Sequence, residues 1–147
     1  MYVKNLPMFD WDSERGSTSC LFTDGEKVYT GFALCHPDDM DMAGEKTGCE
    51  IALRRAKINA LRGYRDELKI QLKALNQLYY SMNKSTHFNE KSYENRMLQR
   101  QIHRINFDLT TVKEMIATEK QELREYLQKK DEFYTKIRRI RKKDNSN

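Results

Sequence analysis

The sequence predicts an α+β chain, with a small N-terminal antiparallel β-hairpin or sheet packed on a long antiparallel two-helix hairpin and the whole assembled as an oligomer. Three observations predict it. Near the N-terminus, two runs rich in β-branched and aromatic residues flank an Asp-Gly pair. Further on, apolar residues recur at alternating steps of three and four over two long stretches. Only a short polar connection joins those stretches, which makes them antiparallel neighbours.

Residues 1–46 form the β cap and its following loop. Within them 1–15 read as irregular, with Trp11 placed against the cap. Ser17 to Thr23 and Lys27 to Cys35 read as the two strands, joined at Asp24-Gly25, a pair that tolerates the positive φ of a tight turn. A lone hairpin is marginal in water, so it must pack on a helix or gain strands from a partner. The loop from His36 to Lys46 carries Pro37 and the aspartates Asp38, Asp39 and Asp41.

The first helix is predicted over 47–83, with Thr47 as N-cap and Glu50 completing a capping box. Its heptad seam holds Ile51, Ile58, Arg65, Leu72 and Tyr79 at a, and Arg54, Leu61, Leu68, Leu75 and Met82 at d. The connection spans 84–91. A second helix follows over 92–143, its stripe running from Leu98 through Ile102, Ile105, Leu109, Val112 and Ile116 to Ile140, broken at Glu119 and Lys130. At 1.5 Å per residue the helices measure about 55 Å and about 75 Å. Two helices of unequal length leave apolar stripe uncovered, and a second copy of the chain is the simplest cover. All of this is read as a single domain, 1–147.

Composition narrows the function. The chain is 38% hydrophobic and 33% charged, a helix-rich balance and not that of a disordered chain. No apolar run reaches the roughly 20 residues of a membrane span, and no signal peptide is expected. Cys20, Cys35 and Cys49 are an odd number with no CxxC pair, which points to a reducing cytoplasm. Cys35-His36 with Cys49 fits no standard zinc spacing, and the aspartate loop lacks a closing bidentate glutamate, so no metal is expected. Nucleophile-elbow, phosphate-loop and dinucleotide fingerprints are absent, and His36, His87 and His103 are scattered. The chain therefore reads as a binder, not an enzyme, with no cofactor.

Two basic groups invite a binding role. The RRIRKK run, Arg138 to Lys143, can contact a phosphate backbone, but its place at a helix C-terminus, where the dipole favours cations, accounts for it more simply. Arg96, Arg100 and Arg104 recur every four residues and so form one cationic stripe. Just before them stand His87, Phe88, Asn89 and Tyr93. Arginine forks match phosphates, an aromatic ring at 88 or 93 can stack on a base, and Asn89 can read its polar edge. A solvated helix face beside a polar turn has the same spacing.

Gly31-Phe32-Ala33-Leu34-Cys35-His36-Pro37-Asp38-Asp39, followed by Gly48-Cys49-Glu50-Ile51-Ala52-Leu53-Arg54-Arg55-Ala56, has the form G-x-A-x-C-x-P-x-D, a gap, then G-x-x-I-A-x-x-R-A. This pattern resembles that of the Thoeris anti-defence sponge family of phages, in which a short sheet precedes two long helices. The resemblance implies a non-catalytic homodimer or higher homo-oligomer in the host cytoplasm. It would sequester a cyclic ADP-ribose isomer made by a bacterial TIR-domain enzyme, with some members also taking cyclic oligonucleotides at separate basic sites. Neither a membrane nor DNA is required. By the same resemblance an i, i+4 arginine pair, Arg100 with Arg104 or Arg96 with Arg100, binds the ligand together with Phe88 and Asn89; with Tyr93 from the residue pattern and Asp108 these make up the candidate ligand-binding set. The family places an acidic residue just after its arginine pair; here Asn106 and then Asp108 stand near that place. Arg54 and Arg55 are candidates for a second anionic site or for structural ion pairs with the aspartate loop. The rival readings are a basic coiled-coil nucleic-acid binder, an adaptor recruiting a protein through its helices, and a hydrolase of the same nucleotide, which lacks a placed base.

Overall fold

A computed structural model describes residues 7–35, 44–84 and 92–146 of the chain. It is an α+β fold: an N-terminal three-stranded antiparallel sheet followed by two long helices. The strands are β1 (Met8–Asp12), β2 (Ser17–Thr23) and β3 (Val28–Leu34), paired in that spatial order. The helices are α1 (Glu45–Asn83) and α2 (Tyr93–Asn145). The packing divides into two compact units. One comprises the sheet, α1 to Ala60 and α2 from Thr118; the other is Leu61–Ala117.

The predicted hairpin is β2–β3, closed as expected at Asp24-Gly25. Gly25 has φ 101°, and Asp24 Oδ1 accepts the amides of Glu26 (2.9 Å) and Lys27 (2.8 Å). Those two amides hold the Asp24 carboxyl below the usual carboxylate range.

Residues 1–15 are not irregular throughout, because Met8–Asp12 forms a strand that the sequence reading missed. Its register explains it. Phe9 lies opposite Cys20 and Trp11 opposite Thr18, so its two aromatic residues fall on the same face as the inner residues of β2. Thr47 also differs from expectation. The Gly44 carbonyl accepts the amides of Thr47 (3.1 Å) and Gly48 (3.3 Å), so α1 starts earlier and Thr47 sits inside its first turn, not at its cap. Ser92 does cap α2, its Oγ accepting the Asn95 amide at 3.2 Å.

In the sheet unit the core is made of small residues. Cys20, Ala33, Ala52 and Ala56 are buried together, with Phe22, Ile51 and Leu53 packed against them. Gly31 lies so close to α1 that a Cβ there would strike the backbone oxygen of Ala52 and the nitrogen of Ala56. Burial pushes the Cys20 thiol up, with Cys49 adding to the shift, and burial likewise raises Cys49; both stay protonated thiols.

β3 is an edge strand, and α1 guards it. Arg55 Nη1 donates to the Phe32 carbonyl and Asn59 Nδ2 to the Thr30 carbonyl, both at 2.7 Å. These carbonyls would otherwise be open to an added strand. The double variant Arg55→Ala/Asn59→Ala is expected to lose about 2 kcal/mol of stability and to form thioflavin-positive aggregates faster than wild type. Unchanged aggregation kinetics would show that the edge is protected in another way.

In the Leu61–Ala117 unit, Leu68 of α1 packs with Leu109, Val112 and Ile116 of α2, flanked by Leu61, Leu72 and Ile105. These are seam positions expected from the periodicity, and the pairing is antiparallel: Tyr79 near the end of α1 meets Gln99 near the start of α2 at 3.4 Å.

Candidate functional site

The side of α2 facing α1 is fixed by its buried residues Asn95, Leu98, Leu109, Val112 and Ile116. At 100° per residue, Arg96, Arg100 and His103 then fall on the opposite side, and all three are exposed. Together with Gln99 they line an open groove of about 310 Å³. The sequence picks out Arg96 and Arg100 by spacing alone. It does not assign Gln99 or His103 to a site, although i, i+3, i+4 and i+7 from Arg96 is the spacing that finds them.

Gln99 is anchored, donating from Nε2 to Tyr79 Oη (3.4 Å) and to Asn95 Oδ1 (3.2 Å). Asn95 is fully buried at the third helical position, and its Nδ2 has no acceptor among the described residues. Through these bonds Gln99 links the first two turns of α2 to Tyr79 near the end of α1. Neither guanidinium has a hydrogen-bond or ion-pair partner among the described residues. Both forks are therefore open to an anion.

Other expected site residues lie around this groove without lining it. Tyr93 is 68% exposed at the start of α2. Arg104 is exposed one turn beyond Arg100, and Asp108 is half-buried one turn further. Phe88 and Asn89 fall outside the described residues, as do His36, His87 and the aspartates of the 36–43 loop.

Arg54 and Arg55 belong to the other unit and are occupied there. Arg54 Nε bonds to Glu50 Oε1 at 2.8 Å, its Nη1 lies 3.6 Å from Glu122, and its guanidinium stacks 5.4 Å from the centroid of the Tyr126 ring. Arg55 guards the β3 edge as described. Among the described residues these two arginines make structural contacts, while the aspartates of the loop, with which the sequence could also pair them, lie outside the described residues.

The groove presents groups suited to binding an anion. It holds two guanidinium forks, a carboxamide and one imidazole, with no carboxylate among its lining residues to orient His103. Among the described residues no three His, Cys, Asp or Glu side chains gather closely enough to hold a metal, and no helix is long and apolar enough to cross a membrane. Compared with protein-family models, curated proteins and solved structures, the chain gives no match.

Proposed function

We propose that this chain is a non-catalytic sponge. It binds a cyclic ADP-ribose-type signalling nucleotide on the arginine face of α2, holds it unchanged, and so blocks TIR-dependent Thoeris antiphage defence. The observation that carries the reading is the pair of guanidiniums, Arg96 and Arg100, without partners among the described residues and set one turn apart beside Gln99 and His103. A diphosphate presents two anionic groups at a separation that two such forks can span, and Tyr93 offers an aromatic face for a base. Sequestration needs affinity and slow release, not a base or a nucleophile.

The groove comes from one helix and is open to water, where exposed ion pairs are individually weak. Enclosure by a second protomer would supply the missing wall and strengthen every charged contact. Exposed Phe107 and Met97 on the same part of α2 fit such a covered face.

Calorimetry with cyclic ADP-ribose isomers tests the proposal. Wild type is expected to bind one isomer below 1 μM by order of magnitude. Arg96→Ala/Arg100→Ala is expected to lose about 100-fold or more, from two charged hydrogen-bonding partners, while keeping its circular dichroism and oligomeric state. Arg100→Ala/Arg104→Ala compares the alternative arginine register. Ligand recovered intact after denaturing the complex excludes turnover. Absence of binding by any isomer would sink the sponge. The exposed basic end of α2, residues 139–143, favours a nucleic-acid binder as the second reading. That reading requires RNA or DNA affinity falling steeply with salt and lost on removing this end.

A further inference from the structure

We propose that the sheet unit carries a separate small-molecule site, for a single planar aromatic ring bearing a carboxylate. The site is a pocket of about 160 Å³ where the end of the sheet, the first turn of α1 and the last third of α2 meet. Its walls are Trp11, Ile51, Leu127 and Tyr134, and Lys130 stands among them as the cation. An apolar cavity of about 150 Å³ accommodates one benzene-sized ring, so the volume sets the ligand size. Trp11 and Tyr134 supply aromatic faces for such a ring.

The space is built into the local sequence. At Gly44 an added Cβ would meet nothing within 4 Å among the described residues. At Gly48 a Cβ would strike the Thr18 hydroxyl and lie 3.3 Å from Trp11 Cζ3, so no side chain can fill the pocket from there. Behind that wall the Thr18 hydroxyl is buried without a hydrogen-bond partner among the described residues.

Charge selects an anion. Asp131 also lines the pocket, but Arg138 lies 3.9 Å from its carboxylate. Lys130 has no carboxylate partner among the described residues; its ammonium sits 5.7 Å from the centroid of the Tyr126 ring.

Trp11 is the only tryptophan of the chain, so its fluorescence reports occupancy. The 147-residue chain would be titrated with benzoate, benzyl alcohol and benzylamine at constant ionic strength. Benzoate is expected to change Trp11 emission saturably and to bind at least about tenfold more tightly than benzylamine, in line with one unscreened charge contact. Lys130→Gln is expected to bring the two within about threefold and leave benzyl alcohol unchanged. Leu127→Phe, which fills the pocket, is expected to abolish all three responses, with circular dichroism confirming the fold. No saturable response to any probe, equal binding of benzoate and benzylamine, or a preference that survives in Lys130→Gln would each overturn the site. Arg96→Ala/Arg100→Ala is expected to bind benzoate like wild type, so this proposal and the nucleotide reading fail or stand separately.

Discussion

Replacing Gly31 with alanine is expected to destabilise the sheet unit by about 3 kcal/mol or more. The cause is not backbone conformation, since the positive-φ glycines described are Gly16 and Gly25. It is the closeness of β3 to α1. The new methyl would overlap the Ala52 carbonyl oxygen and the Ala56 nitrogen, which are backbone atoms with no rotamer to escape into. Relief requires the helix to retreat, and retreat opens the contacts among Cys20, Ala33, Ala52 and Ala56. Urea unfolding followed by Trp11 emission reads this directly, because Trp11 belongs to the sheet. A loss below about 0.5 kcal/mol, the usual range for an uncoupled surface change, would show that the strand and helix are not in such close contact.

Leu109→Ala is expected to cost about 2–5 kcal/mol in the Leu61–Ala117 unit. Leu109 is 6% exposed and packs with Leu68, Val112 and Ile116, so truncation leaves a cavity in the middle of the helix pair. Phe107, two residues earlier, is 68% exposed and supplies the contrast. In a lone protomer Phe107→Ala costs under about 0.5 kcal/mol. Denaturation followed by far-ultraviolet circular dichroism at several protein concentrations compares the two. A large, concentration-dependent loss in Phe107→Ala would mean that a second copy covers this side of α2.

Both helices and the β2–β3 hairpin were legible in the sequence because each carries a local signal. The three-four spacing places Leu68, Leu109, Val112 and Ile116 on one seam, and they are buried together. Asp24-Gly25 supplies both the positive φ and the carboxylate that ties the turn. β1 was not legible. Its five residues include two aspartates, and the alternation of Phe9 and Trp11 acquires meaning only opposite Cys20 and Thr18. The start of α1 was misjudged for a related reason: Thr47 and Glu50 satisfy the capping pattern, but Gly44 receives the amides.

The arginine stripe was legible as spacing, whereas its membership was not. Which arginines share a groove depends on which side of α2 faces α1, and the anchoring of Gln99 on Tyr79 joins residues far apart in the chain. The motif that carries the family resemblance tells a different story. Gly31, Ala33, Ala52 and Ala56 are the small residues of the sheet–helix contact, and none of them lines the arginine groove. These motif residues thus serve the packing of the sheet on α1, while the ligand reading rests on α2.

The division into units also sets an order of events during synthesis. Leu61–Ala117 is continuous in sequence, so its helix pair can close once α2 has emerged from the ribosome as far as Ala117. The sheet emerges first but must wait. Its unit is completed only when Thr118 and the residues beyond arrive, bringing Glu122 and Tyr126 to Arg54 and Leu127 and Tyr134 to the pocket that Trp11 also lines. Until then a nascent chain carries a small sheet with a thin core, and the guards on β3, Arg55 and Asn59, are already present on the first turns of α1 to keep that edge from pairing with a neighbouring chain on the same message.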